Sequence, residues 1–402
     1  MFRSFFQAGF ECSTHKLRDG KRLDLLRSTQ HDRFAAQDYR RIRAFGMHTI
    51  RIAARWHLIE QAPGCYEFDS LRTILDPAYE MEMEVVLDVL HFGCPDHVDI
   101  FAPEFPAQFA RFTFALTRYL ARRRSNCRMF APVNEISFLS WGGGDTGCIN
   151  PHAKNRGHEL KRNLVRAAAL SSEILLNEIP DARLVSPEPL IHIVGDPAIP
   201  GDELEAALYT QAQFQAWDML SGRMSPELGG KPEYLDILGV NFYDRNEWVH
   251  NSGMLLRDDP RYRPFRDMLQ EVWNRYRRPV FVSETGTEDC ARADWFNYVC
   301  DEVFAARRAG VPVHGICLYP ILNHPGWEDD RHCHNGLFDY ADDTGDRDIH
   351  WALADALTTQ QQRFAASKDF IHDPQHRPDL SVSSPLGIRI PAPSASNEPL
   401  RT

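Results

Sequence analysis

Long hydrophobic runs are missing from this 402-residue sequence. No stretch approaches the ~18 consecutive apolar residues that a membrane-spanning helix needs. Residues 1–7 also show no basic leader followed by a long apolar segment. These absences predict a protein without a membrane span and favour a cytoplasmic location.

An excess of positive charge is missing as well. Lys and Arg number 45 against 56 Asp and Glu, which gives a net charge of −11. A protein that binds a phosphate backbone presents a concentrated basic face. The sequence therefore argues against a nucleic-acid partner.

Cysteine motifs are absent although cysteine itself is not. The nine cysteines include no CxxC pair, so no disulfide framework is visible and we expect reduced, packed thiols. His324, His332, Cys333 and His334 crowd one region, but the adjacent positions 332–334 do not match the ligand spacing of closed zinc sites. We expect no metal and no cofactor.

What the sequence does contain is a βα rhythm from about residue 5 to residue 366, with no internal repeat. We predict helices over 32–45, 106–124, 160–178 and 294–309. Eight apolar segments predict strands, the number that closes an α/β (β/α)₈ TIM barrel, at residues 5–9, 49–53, 85–90, 129–133, 183–186, 237–241, 280–283 and 313–318. We expect one catalytic domain over residues 1–370 and a Pro- and Ser-rich disordered tail over 371–402.

Two predicted strands run directly into a glutamate. Residues 131–135 read APVNE and residues 279–286 read PVFVSETG, which places Glu135 and Glu284 149 residues apart. Strand ends of one barrel meet on the same face, so these carboxylates can form a pair. A retaining glycosidase needs a nucleophilic carboxylate, a second carboxylate as acid and base, and a hydrogen bond to the sugar 2-hydroxyl, which Asn134 can donate.

The ordered chain resembles the family 1 β-glucosidases, a group of barrel retaining glycoside hydrolases. In that family an Asn-Glu pair ends the fourth strand and holds the acid/base, as at Glu135, and Glu-Asn-Gly ends the seventh and holds the nucleophile, as at Glu284. The segment 50–56, IRIAARW, is similar to the second strand, whose arginine lies beside the nucleophile, and so implies this role for Arg51. The segment 90–95, LHFGCP, implies that His91 contacts sugar hydroxyls.

Two further segments carry the resemblance. Residues 236–243, DILGVNFY, are similar to the sixth-strand pattern, which implies that Tyr243 hydrogen-bonds the nucleophile and that Asn241 lines the site. In the eighth-strand region Tyr319 takes the place of a tryptophan that forms the sugar platform, and Trp327 resembles part of an aglycone-side loop.

The chain departs from the family at three places. Ile136 follows the acid/base where the family has proline, and Thr285 follows the nucleophile where it has asparagine. The sugar-binding glutamine after the first strand is not found in residues 9–15, where Glu11 or His15 can substitute. The glucose specificity of the family therefore does not transfer directly.

The sequence predicts a retaining β-glycosidase acting on a β-linked, glucoside-like saccharide. This division of roles requires a raised pKa for Glu135 and a normal or lowered pKa for Glu284. A transglycosylase in polysaccharide or glycolipid synthesis and a catalytically inactive carbohydrate-binding barrel are the alternatives. Glu188, between two prolines, is a rival carboxylate for which substrate contact or solvation is the interpretation. The sugar, the linkage and the oligomeric state stay open.

Overall fold

Eight parallel strands close into a barrel in the computed structural model, which describes residues 1–123, 125, 127–329 and 331–367. Neighbouring strands follow the chain order, and the last strand pairs with the first. The strands are β1 (Phe6–Gly9), β2 (Thr49–Ala53), β3 (Glu84–Asp88), β4 (Met129–Ala131), β5 (Arg183–Pro189), β6 (Ile237–Asn241), β7 (Val280–Thr285) and β8 (Val313–Leu318). The predicted fold class and its eight strands are confirmed, whereas the predicted tail at 371–402 lies outside the described residues.

Helices occupy the connections between the strands. The predicted helices are confirmed with shifts of one to three residues at their ends. The helices are α1 (Leu25–Ser28), α2 (His31–Ala44), α3 (Trp56–Ile59), α4 (Asp69–Glu80), α5 (Phe105–Arg122), α6 (Ile136–Leu139), α7 (Gly157–Glu178), α8 (Asp202–Ala212), α9 (Gln215–Leu220), α10 (Phe265–Tyr276), α11 (Arg292–Arg308) and α12 (Trp351–Ala366).

Short elements extend the loops. A π-helical turn, Ser140–Asp145, follows α6, and 3₁₀ turns cover Pro226–Leu228, Pro232–Tyr234 and Asp289–Ala291. Three small two-stranded pairings lie outside the barrel and join Glu60–Ala62 to Cys65–Tyr66, His192–Val194 to Glu247–Val249, and His324–Pro325 to His332–Cys333.

Strand alternation separates two apolar layers. In β2, Ile50 and Ile52 belong to the large core between barrel and helices, while Arg51 between them faces the barrel interior. A smaller cluster, which Phe2 covers with its ring 4.8 Å from the ring of Phe281, fills the interior with Val86, Met129, Ala131, Val185, Ile237 and Phe281. Because apolar side chains fill this layer, the inward polar groups concentrate at the carboxyl ends of the strands.

Two further expectations concern the cysteines and the membrane. All nine cysteines lie among the described residues, and none of them is in a disulfide. No helix in the described part of the chain is long and apolar enough to cross a bilayer. The cytoplasmic location stays a prediction.

Candidate active site

Arg51 lies at the centre of the polar cluster, with a side chain that is 1% exposed. Its Nε and Nη2 donate to the two carboxylate oxygens of Asp88 at 3.0 and 2.7 Å. Its Nη1 donates to Glu284 Oε1 at 2.6 Å, and Nη2 also donates to Asn134 Oδ1 at 2.6 Å. One planar guanidinium thus fixes groups from β3, β4 and β7, which a lysine with a single ammonium could not do.

A bulge in β7 turns Glu284 into the barrel. Phe281 belongs to the interior cluster and Val282 to the outer core, so strict alternation would send residue 283 inward and residue 284 outward. The register slips by one residue between Val282 and Glu284 against β6, and between Val282 and Thr285 against β8. Ser283 and Glu284 consequently both contact interior groups, because a bulge can re-aim a side chain in this way.

Tyr243 supplies the second hydrogen bond to Glu284. Its hydroxyl donates to Glu284 Oε2 at 2.8 Å, so both oxygens of this carboxylate are held. Arg51 and Tyr243 therefore lie beside Glu284, the positions that the resemblance implies for them.

Glu135 follows β4 in a left-handed backbone conformation, with φ of 47°. Its Oε1 accepts a hydrogen bond from Asn241 Nδ2 at 2.8 Å, and its backbone amide donates to the carbonyl of Pro187 at 3.1 Å. Left-handed conformations are uncommon for residues other than glycine and persist where surrounding contacts enforce them. Groups on β5 and β6 hold Glu135 in place here.

The two glutamates differ in their ionisation. Burial raises the pKa of Glu135 well above its usual value, and the charge on Glu284 raises it further. Burial also raises the pKa of Glu284, against the lowering effects of Arg51, His91 and the hydrogen bond from Tyr243. The expectation of a normal or lowered pKa for Glu284 is wrong because burial outweighs the arginine, but Glu135 remains the stronger proton holder of the pair.

His91 extends the cluster toward Tyr319. Its Nδ1 lies 2.9 Å from Asp88 Oδ2, while Nε2 lies 3.3 Å from Asn134 Nδ2 and 3.4 Å from the Tyr319 hydroxyl. The Tyr319 ring packs tightly against β1, since a Cβ added at Gly9 would meet it at 2.1 Å. This glycine lets the tyrosine approach the barrel wall.

Glu11 and His15, the two substitutes for the missing glutamine, both lie at the site. Glu11 Oε1 accepts the Ser13 amide at 2.8 Å and lies 3.9 Å from His91 Nε2. The His15 ring meets the half-buried Trp327 edge-on at a centroid distance of 5.1 Å. Burial lowers the pKa of His15 to about 4, so its ring is neutral near pH 7.

Glu188, the rival carboxylate, is not solvated as one interpretation of the sequence held. Its side chain is buried at the end of β5, with 1% relative exposure of the residue. Its Oε2 accepts the backbone amide of Ser137 at 2.9 Å, two residues beyond Glu135. No local sequence pattern signals this contact, because the loop after β4 and the end of β5 lie about fifty residues apart.

A cavity of about 980 Å³ has Ser137 and Phe138, which follow Glu135 in the chain, in its wall and is formed by the connections after β4, β5 and β6. Its aromatic lining comprises Phe138, Trp141, Tyr209 and Trp248, and Lys161 and Gln215 are among the polar groups. The Phe138 ring lies 6.2 Å from Trp327 and 5.9 Å from Trp141, so aromatic rings connect the carboxylate cluster to this cavity.

The histidines after β8 do not form a single cluster. His332 and His334 stack with ring centroids 4.4 Å apart, and Asp339 lies 3.0 Å from His332 Nε2. His324 Nε2 instead lies 2.9 Å from Asn335 Nδ2, and Cys333 is buried. The expected absence of a metal remains a prediction. No hydrogen bond among the described residues joins this exposed cluster to Glu135 or Glu284.

We predict that Arg51→Met lowers the free energy of unfolding by about 3–5 kcal/mol, because it leaves Asp88 buried without its cation. Urea denaturation followed by circular dichroism measures the change. Arg183→Met is the matched control, since Arg183 also forms a two-pronged pair, with Asp236, at 2.6 and 2.8 Å but with 38% of its side chain exposed. The control should cost less than about 1 kcal/mol; equal losses would contradict the prediction.

Comparisons with known proteins agree with the fold. No protein-family model matches the chain, and no curated protein matches it in sequence. Among solved structures, the family 1 β-glucosidase from Thermotoga maritima superposes with a TM-score of 0.71 at 15% identity over 89% of this chain and 97% of that chain. The β-glucosidase from the same organism in complex with glucoimidazole gives 0.73 at 15% identity, with 90% and 98% covered. Its complex with noeuromycin gives 0.67 at 17% identity, with 83% and 87% covered. The chain therefore has the fold of the family 1 β-glucosidases.

Proposed function

We propose that this protein is a retaining β-glycosidase that hydrolyses a β-linked, glucoside-like saccharide through a covalent glycosyl-enzyme. The observation that carries the proposal is the asymmetric carboxylate pair. Glu284 is held by a cation and a phenol, which suit an anionic nucleophile, whereas burial and the charge of Glu284 keep the proton on Glu135. Two carboxyl groups with different pKa values can take the two roles, acid and nucleophile, that this chemistry requires.

In the first step Glu284 attacks the anomeric carbon while Glu135 gives its proton to the departing oxygen. The bond to the leaving group breaks as the bond to Glu284 Oε forms. Loss of the negative charge on Glu284 then removes the repulsion that raised the pKa of Glu135. Glu135 is thereby converted to a base for the second step.

In the second step water attacks the anomeric carbon from the face that the leaving group has vacated. Glu135 accepts a proton from this water, and the bond from the sugar to Glu284 breaks. The product keeps the anomeric configuration of the substrate because two displacements have occurred. The carboxylate of Glu284 returns to Arg51 and Tyr243.

The remaining groups bind the sugar in this proposal. Asn134, oriented by Arg51, donates to the 2-hydroxyl, and His91, oriented by Asp88, meets neighbouring hydroxyls. Tyr319 forms the platform under the ring, with Glu11 and Trp327 at the edge of the site. Asn241 acts through Glu135 by its hydrogen bond.

The cavity formed by the connections after β4, β5 and β6 holds the leaving group. Protonation by Glu135 requires the departing oxygen to lie on the same side of the sugar as Glu135. The cavity wall begins with Ser137 and Phe138, which follow Glu135 in the chain. About 980 Å³ exceeds what a single small alcohol fills and lies at the upper end of small-molecule sites. Its aromatic walls suit a ring-bearing leaving group.

The decisive experiment is intact mass measurement after incubation with activated 2-deoxy-2-fluoro-β-glycosides of the gluco, galacto, manno and xylo series. A mass gain that maps to Glu284 supports the covalent mechanism, and the sugar that labels fastest identifies the preferred glycone. Glu284→Ala should not label and should lose about 10³-fold or more in kcat. Absence of labelling in the folded protein would favour the inactive carbohydrate-binding barrel.

Product analysis with an added sugar acceptor separates hydrolysis from transglycosylation. Both reactions share the glycosyl-enzyme and differ only in whether water or a sugar hydroxyl intercepts it. Free sugar as the main product supports hydrolysis.

We predict that Tyr243→Phe moves the acidic limb of kcat/KM to higher pH. The hydroxyl favours the ionised form of Glu284, so its removal raises the pKa of the nucleophile, and the active ionised fraction forms only at higher pH. The pH profile of kcat/KM measures the shift. Tyr262→Phe, whose phenol contacts Tyr298 outside the cluster, is the control and should leave the limb in place.

We predict that Trp248→Ala raises KM for aryl β-glycosides about 3- to 10-fold, because an aromatic contact to the leaving group is lost. KM for a methyl β-glycoside of the same sugar should change little, since its methoxy group is too small to reach Trp248. Trp351→Ala removes a tryptophan that is 66% exposed and lies outside the cavity lining, and it serves as the matched control. An equal change in KM for both substrates would show that the cavity does not hold the leaving group.

A further inference from the structure

Glu188 is a buried carboxylate that the mechanism above does not use. It lies at the end of β5 with 1% exposure, next to the turn that carries Glu135. A carboxylate in such a place needs hydrogen-bond donors to offset its burial. These donors are the backbone amides that follow Glu135.

The turn after β4 is fastened to β5 at two points. The amide of Glu135 donates to the Pro187 carbonyl at 3.1 Å, and the amide of Ser137 donates to Glu188 Oε2 at 2.9 Å. The Ile136 amide also acts to lower the pKa of this carboxylate, which burial raises. The amides of Glu135 and Ser137 are thus hydrogen-bonded to two consecutive residues of one strand.

This attachment bears directly on the conformation of Glu135. The residue has φ of 47°, a conformation that costs energy for a residue with a Cβ and needs enforcement from its surroundings. The amides of Ile136 and Ser137 begin the four-residue helix α6, so the Glu188 carboxylate caps this turn from β5. Without the cap, the turn can relax and the Glu135 carboxyl can leave its productive position.

Charged groups approach Glu188 from two sides. Glu135 faces it from the β4 turn, and the charge on Glu188 raises the pKa of Glu135. Lys161 approaches from α7, where its Nζ donates to Gln215 Oε1 at 2.9 Å. Burial lowers the pKa of Lys161, against the raising effects of Glu188 and Asp145. Burial raises the pKa of Glu188 to about 7, against the lowering effect of Lys161.

We propose that Glu188 is a positioning residue for Glu135: its carboxylate fixes the amides of the turn and so holds the acid/base carboxyl against the leaving group. This inference rests on the proposed function. Glu188 touches neither substrate nor reacting atoms, and it acts through the backbone of residues 135–137.

The test is the dependence of kcat/KM on the leaving group in Glu188→Met, because methionine has a similar length and no oxygen to accept the amides, whereas a glutamine oxygen could still accept them. A 2,4-dinitrophenyl glycoside of the preferred sugar departs with little help from an acid, so kcat/KM should stay within about 3-fold of wild type. A methyl glycoside needs full protonation, and a misplaced acid should reduce its kcat/KM about 10²-fold. A defect confined to general folding or sugar binding would lower both values equally.

The pH profile provides a second reading. Glu188→Gln removes a negative charge that raises the pKa of Glu135, so the basic limb of kcat/KM should move to lower pH. Glu188→Asp keeps the charge on a side chain one methylene shorter, which does not reach the amides. It should show the leaving-group dependence of Glu188→Met with a smaller shift of the limb than Glu188→Gln, and it decides the matter if Glu188→Met does not fold.

Glu247→Met is the matched control. Glu247 is also 1% exposed, burial also raises its pKa to about 7, and its Oε2 also accepts a backbone amide, that of Arg263, at 2.9 Å. It has no contact with the Glu135 turn among its described hydrogen bonds. Its replacement should leave the ratio of the two kcat/KM values and the basic limb unchanged.

Glu135→Gln distinguishes failure of this inference from failure of the proposed function. If Glu135→Gln spares the dinitrophenyl substrate and loses the methyl substrate, Glu135 is the acid and the proposed function stands. If Glu188→Met and Glu188→Asp then slow both substrates equally, or slow neither, the positioning role is overturned. If Glu135→Gln shows no such selectivity, the assignment of the acid fails first.

Discussion

The buried guanidinium of Arg51 is the interaction on which the rest of the site depends. It is the cation that contacts Asp88 and Glu284, and it orients Asn134 as well. Burial raises the pKa of Glu135 and Glu188, which lie beyond its direct hydrogen bonds, and that of Glu284 in spite of its contact with Arg51, whereas the pKa of Asp88 is lowered. Burial, together with the charge of Glu284, thus favours a proton on Glu135.

Strands of the barrel hold the two carboxylates of the site in place. The bulge in β7 turns Glu284 toward Arg51, and the end of β5 holds the turn that carries Glu135. Both carboxylates are thus attached to barrel strands with little freedom to relax away from each other. Such preorganisation is what electrostatic catalysis requires, because no reorganisation is then needed as charge develops.

The 15% identity to a solved β-glucosidase over nearly the whole chain fits this division between scaffold and site. A barrel core tolerates extensive apolar substitution as long as volume and alternation are kept. Two chains can consequently share a fold at low sequence identity while the strands stay in place. Because one fold hosts many chemistries, the proposed activity depends on the carboxylate cluster and not on the superposition.

The sequence by itself determined the eight strands, the main helices and a set of polar residues at strand ends, because alternation and strand-to-glutamate junctions are local signals. It placed Arg51, Tyr243 and Glu284 in one site through motif order. Only the tertiary structure decided that a bulge re-aims Glu284, that burial raises its pKa and that Glu188 caps the Glu135 turn. These features depend on strand register, desolvation and contacts between residues distant in the chain, and no local pattern encodes them.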